Sequence, residues 1–208
     1  EYIHVEKPDQ EAVPSRQFDI SKIDFELLSR EFAHTRRKNL LLRDLDELVN
    51  QQLAKMLFAN PHRMDYYDRY QEIIDAYNAE QNRATIEKTF MDLMELASSL
   101  DTEQQRYVRE GFSSDEELSV YDLLFSENLT KQEIETIKKV SVDLLTKIKQ
   151  QIAKLDHWTD KQETKAIVDN LIRNTLWQEL PNSYDVSDIQ TYQKKIYEYV
   201  YMRYPEVA

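Results

Sequence analysis

Four groups of side chains in this sequence have types and spacing that could do chemistry. The first is Asp115-Glu116-Glu117, a run of three acids that could hold a metal ion or exchange protons. The second is Asp156 followed by Glu163-Thr164-Lys165, an acid…E-x-K order of the kind by which many nucleases hold Mg²⁺. The third is Arg36-Arg37-Lys38, whose cations could contact phosphates without regard to base sequence. The fourth is aromatic: Trp158, and the alternating Tyr197, Tyr199 and Tyr201 of "KKIYEYVYMRY". The four histidines, His4, His34, His62 and His157, have no partner at zinc-like spacing.

The elements that carry these residues are all helical. The chain has 208 residues and a single glycine, against an ordinary usage of about 7%. Primed hairpin turns lose their usual residue. Phosphate-binding loops, dinucleotide fingerprints and nucleophile elbows cannot be written without glycines at fixed spacing. No cysteine is present, which removes disulfides, zinc knuckles and thiol nucleophiles and suits a reducing cytosol. No stretch reaches the roughly 18 apolar residues of a membrane span, and no signal segment opens the chain. The chain begins with Glu1 rather than methionine, which leads us to expect a fragment of something longer. We expect a cytoplasmic protein.

Residues 1–20, with two prolines and no periodicity, read as an extended arm or linker. From Ile23 a helical stripe runs through Leu27, Leu28, Leu41, Leu45, Val49, Gln52 and Met56 to Pro61, which pushes Asn60 out of the α region. Met64, Tyr67, Tyr70, Ile74 and Tyr77 share the next face; Ile86, Phe90, Leu93, Met94 and Ala97 share the one after. The polar "NAEQNRA" between them reads as a hinge. We therefore expect a helical connector over 21–80, a C-terminal helical domain over 81–208, and about eight helices in an all-α bundle.

This pattern changes the reading of the acids. Gly111 sits where a left-handed residue ends a helix, and Ser114 with Glu117 has capping-box spacing ahead of Leu118, Tyr121 and Leu124. Thr130 with Glu133 repeats the device, and Thr159 with Gln162 suggests a third. Acids in a first turn meet the positive end of the helix dipole, so capping accounts for Asp115, Glu116 and Glu117 without a ligand. Glu163 and Lys165, two apart on a helix, do not face one another, which argues against the nuclease-like trio. No catalytic, cofactor-binding or metal-binding residue is therefore assigned.

Charge is uneven. The formal net charge is -12, which disfavours broad nucleic-acid binding. Residues 101–135 carry ten acids and three bases, whereas 30–43 carries five bases and one acid. That strip, centred on Arg36, Arg37 and Lys38, is the candidate phosphate contact, although no aromatic stacking platform is interleaved with it. Tyr197, Tyr199 and Tyr201 cannot all face one helix core, so with Trp158 they are the candidate partner interface.

The order of five segments is similar to a known family. "ANPHRMDYYDRYQEIIDAYNAE" (59–80), "IEKTFMDLMELASSL" (86–100), "RYVREGFSSDEELSVYDLL" (106–124), "LTKQEIETIKKVSVDLL" (129–145) and "DHWTDKQETKAIVDNLIRNTLWQELP" (156–181) resemble the C-terminal helical region of the R (restriction) subunit of type I restriction-modification enzymes. The resemblance spans roughly residues 25–204. It implies a parent protein with an Mg²⁺-dependent nuclease and an ATP-driven DNA motor, a type I site-specific deoxyribonuclease. Both lie upstream of this region, so no catalytic residue carries over and ATP and Mg²⁺ belong to the parent's other domains. The resemblance further implies a docking and assembly role, with the methyltransferase and specificity subunits as partners and DNA met only indirectly. The alternative is a non-specific DNA-contacting element of the translocase.

Overall fold

Short interruptions of the helical pattern set the element boundaries. The computed structural model describes residues 23–61, 63–80 and 82–205, so the arm expected over 1–20, His4 and His62 lie outside it. Among the described residues there are nine helices and no strand. They are α1 (Phe25–His34), α2 (Lys38–Ala59), α3 (Met64–Ala79), α4 (Arg83–Gln104), α5 (Arg106–Arg109), α6 (Asp115–Leu124), α7 (Lys131–Ile152), α8 (Gln162–Glu179) and α9 (Val186–Arg203). The fold is all-α.

The chain divides into two compact units, Glu1–Arg109 and Glu110–Ala208. This division falls well beyond the boundary near 80 that polarity alone suggested. The reason is α4, which packs along both α2 and α3 and so belongs to the first unit. Its Phe90, Leu93, Leu96, Ala97 and Leu100 are all fully buried.

In the first unit, the stripe from Ile23 is two helices rather than one. Thr35 is extended (φ -74, ψ 146), and its hydroxyl accepts a hydrogen bond from the Arg37 amide at 3.1 Å. Such a local bond offers the backbone an alternative to the helix ladder. Beyond it, α2 buries Leu42, Leu45, Val49, Leu53 and Met56 at three- and four-residue steps. The helix stops at Asn60 (φ -139, ψ 95), the conformation that Pro61 favours. Three polar links cross this core. The Tyr70 hydroxyl donates to Asp46 at 2.8 Å, Gln104 donates to Gln52 at 2.8 Å, and Arg63 pairs with Glu103 at 3.2 Å. The first two match a donor with an acceptor, without which burial would cost about 1–3 kcal/mol per group, and the third sets opposite charges together.

The second unit is a four-helix arrangement in which α6 packs on α7, α7 on α8, α8 on α9, and α9 on α6. Its centre is built from Leu118, Leu124, Ile137, Leu144, Val168, Ile172, Ile196 and Val200, none of them accessible to solvent. Truncating any one of the leucines or isoleucines to alanine would cost about 2–5 kcal/mol. Gly111 enters the unit at φ 84 with open space where a side chain would lie, so backbone conformation alone calls for glycine. Tyr184, in the α8–α9 turn, donates to the Leu124 carbonyl at 2.6 Å and satisfies the end of α6.

Candidate partner-facing surfaces

The acid cluster divides by role. Ser114 accepts from the Glu117 amide at 3.3 Å, while the Glu117 carboxylate accepts from the Ser113 amide at 2.7 Å, one residue earlier than a strict box. At Thr130 and Glu133 both halves of the box form, at 3.3 and 2.8 Å. Glu116 does more than cap. It pairs with Lys149 of α7 and, at 3.6 Å, with Arg203 of α9, tying three helices together. Burial would push its carboxyl up, but the Lys149 ammonium hydrogen-bonded to it holds it below the ordinary value.

The expected box at Thr159 is a correction. The N-cap of α8 is Lys161, with no side-chain cap. The Thr159 hydroxyl instead reaches the Pro205 carbonyl at 3.4 Å. Thr164 takes over the local role, donating to the carbonyls of Trp158 at 2.7 Å and Lys161 at 2.9 Å. The turn before it holds His157 at φ 45, a left-handed position for a non-glycine residue. Three further starts carry side-chain caps: Asp24 accepts from Leu27 at 2.9 Å, Asn82 accepts from Thr85 at 2.9 Å, and Asp185 with Asp188 forms a full box opening α9. Each start has Asp or Asn at the N-cap, residue types that cap as well as Ser or Thr and are legible in the sequence without a Glu or Gln three positions on.

The basic strip sits at a break, not along a helical face. Arg37 is the N-cap of α2, without a side-chain cap and with no acid in the first turn. Arg36 and Arg37 are exposed. Lys38 turns inward, pairing with Glu87 of α4 at 2.6 Å and lying 4.9 Å from the centre of the Phe32 ring. Two arginines beside the positive end of a helix dipole are unfavourable there in isolation, and an anion would relieve them.

The aromatic group sorts itself by depth. Trp158 is 1% exposed and Tyr199 2% exposed, so both are core residues of the second unit rather than surface. Trp158 donates its indole N–H to the Tyr204 carbonyl at 2.6 Å. Tyr197 and Tyr201 set their rings edge-on against it, with centroids at 6.2 and 5.8 Å. Of the three tyrosines, Tyr197 is half-buried and Tyr201 is exposed at 39%, next to exposed Met202. The other tryptophan, Trp177, is 50% exposed, one residue past the buried Leu176 and so about 100° off the core face of α8. The α8 periodicity contained that signal.

Asp156, Glu163 and Lys165 are not drawn together. Asp156 lies 3.6 Å from His157, while the Lys165 ammonium lies 5.7 Å from the centre of the Tyr201 ring. His34 contacts the Arg30 carbonyl at 2.8 Å in the last turn of α1. Among the described residues no three His, Asp or Glu side chains are grouped to share a metal ion, and no helix is long and apolar enough to cross a membrane.

Comparison with known proteins agrees with the order of segments noted above. No curated protein and no solved structure matches the chain. The family model for the C-terminal region of type I restriction enzyme HindI endonuclease subunit-like proteins matches residues 11–204, and the chain belongs to that family.

Proposed function

We propose that this region docks the endonuclease subunit of a type I restriction system onto its methyltransferase core, made of the methyltransferase and specificity subunits. The observation that carries the reading is the family match over residues 11–204. Two compact units, all-helical among the described residues, are in keeping with an assembly element. In this reading the parent protein's ATP-driven motor and Mg²⁺-dependent nuclease lie upstream, in the cytoplasm, and this region has no cofactor of its own. Among the exposed apolar groups described in the second unit, which also include Phe125, Ile167, Val186 and Met202, Tyr201 and Trp177 are of the residue types enriched at binding hot spots.

A second reading, direct contact with DNA, is favoured by Arg36 and Arg37 at the uncapped start of α2. The net charge of -12 opposes it beyond a few phosphates. One experiment separates the two. The chain is titrated with purified methyltransferase core and, separately, with duplex DNA over a range of salt. Docking predicts core binding that survives replacing Arg36, Arg37 and Lys38 together by alanine. Binding to bare DNA that falls steeply with salt and vanishes in that variant would establish the second reading instead.

A further inference from the structure

Helix α1 is anchored to its unit at its far end, where Phe32 stacks on Phe90 of α4 with ring centroids 3.6 Å apart. Toward its N-terminus α1 stands away from α2 and leaves a groove of about 380 Å³. The floor is leucine: Leu28 on one side, and Leu41, Leu45 and Leu48 on the other. The three α2 leucines recur at four- and three-residue steps, a row of two turns or about 10 Å. Exposed Leu27 (53%) and Leu40 (46%) are neighbours in sequence of that lining and add apolar surface on both helices.

We propose that this groove seats one amphipathic helix of the methyltransferase core, with apolar knobs on one face and lysine or arginine along the rim; the proposal rests on the docking reading above. The row of leucines matches the i, i+3, i+4, i+7 anchors by which a helix lies in a groove. A small molecule would need convergent polar groups on the floor to orient it, and among the described residues the lining offers two, both carboxylates, Asp44 and Glu47. Both are exposed. Among the described residues Asp44 has no ion pair, and Glu47 accepts only from Gln51, at 3.4 Å. Two unneutralised carboxylates on an apolar groove select a cationic rim and repel phosphate, which sets this surface apart from Arg36 and Arg37. They also disfavour a second copy of the chain, since a two-fold contact through this groove would bring the same acids face to face.

The test titrates the full chain with purified methyltransferase core across a salt series, with melting temperature followed in parallel. Asp44→Lys with Glu47→Lys is expected to weaken binding by about tenfold or more, and Asp44→Asn with Glu47→Asn to weaken it less while flattening the salt dependence. Leu41→Trp, which fills the groove, is expected to weaken binding at an unchanged melting temperature. Both acids are exposed, so their replacement leaves the fold intact and keeps the test decisive if Leu41→Trp fails to fold. Core binding that is strong and equal in all variants would overturn the groove and leave the docking reading standing. No core binding by the unaltered chain would overturn both. A lower melting temperature with unchanged binding would mean the groove is covered from within the chain, and altered self-association in sedimentation would mean a second copy covers it. Either result overturns the proposal.

Discussion

Trp158 and Tyr204 are joined by a hydrogen bond of 2.6 Å from indole N–H to backbone carbonyl, across 46 positions of chain. The bond fixes the irregular turn ahead of α8 to the end of α9, and the Tyr197 and Tyr201 rings close around it. Trp158→Phe keeps most of the ring's burial but removes the donor, and should destabilise the second unit by about 1–3 kcal/mol. Denaturant unfolding followed by circular dichroism would measure it; an unchanged midpoint would show that the bond contributes nothing. Cutting the chain after Pro181 would strip α9 from the buried centre, so loss of binding in such a truncation would report unfolding rather than docking.

Glu116 offers a test of whether the acid cluster is structural. Glu116→Gln loses the ion pairs to Lys149 and Arg203 and should lower stability by about 1 kcal/mol, a modest figure because the pairs are partly solvated. The folded-state pKa is lowered, so this contribution is present above the ordinary carboxylate value of about 4.3 and is lost as pH falls through the folded value. The difference in stability between wild type and Glu116→Gln should shrink as the solution is acidified. Unchanged melting with lost core binding would make Glu116 a recognition residue instead.

Asp46 behaves in the opposite sense. Burial pushes its carboxyl up, and the Tyr70 hydroxyl only partly offsets this. For a carboxyl raised on folding, the favourable contribution is complete below the unfolded value of about 3.9 and is lost as pH rises through the folded value. Asp46→Asn keeps an acceptor for Tyr70 and cannot ionise, so it should gain on wild type as pH rises toward neutral. Tyr70→Phe should cost about 1–3 kcal/mol by leaving Asp46 without its partner. Paired melts between pH 3 and pH 7 would read both, and a pH-independent gap between Asp46→Asn and wild type would refute the account.

The capping residues rank themselves. Thr130→Ala, Ser114→Ala and Asp185→Ala each remove a side-chain acceptor seen at a helix start and should cost about 0.5–2 kcal/mol. Thr159→Ala removes only a long bond of 3.4 Å to Pro205 and should cost far less. Chemical denaturation of the four variants gives the order directly; a Thr159→Ala loss equal to Thr130→Ala would restore the box read from sequence.

What the sequence determined by itself is what depends on neighbours within one or two turns. One glycine, the Asn60-Pro61 stop, the Gly111 end, the Ser114 cap and the Thr130 box act over three or four residues, so they placed most helices and accounted for the acid run as a helix start, though not for the Glu116 ion pairs. The family likewise lay in the order of such segments, and the match over residues 11–204 agrees with it. The tertiary structure decided what local pattern leaves degenerate. Thr35 broke a leucine stripe that periodicity ran through unbroken, and that break moved Arg36 and Arg37 from a helix face to a helix start. Trp158 lies in a turn with no period to assign its side, and its burial depends on α9, brought against it from more than 40 residues away. The same packing sent Tyr199 inward and left Tyr201 and Trp177 exposed. Burial is a property of which faces meet, and helices so evenly amphipathic can meet in several ways until the whole unit is assembled.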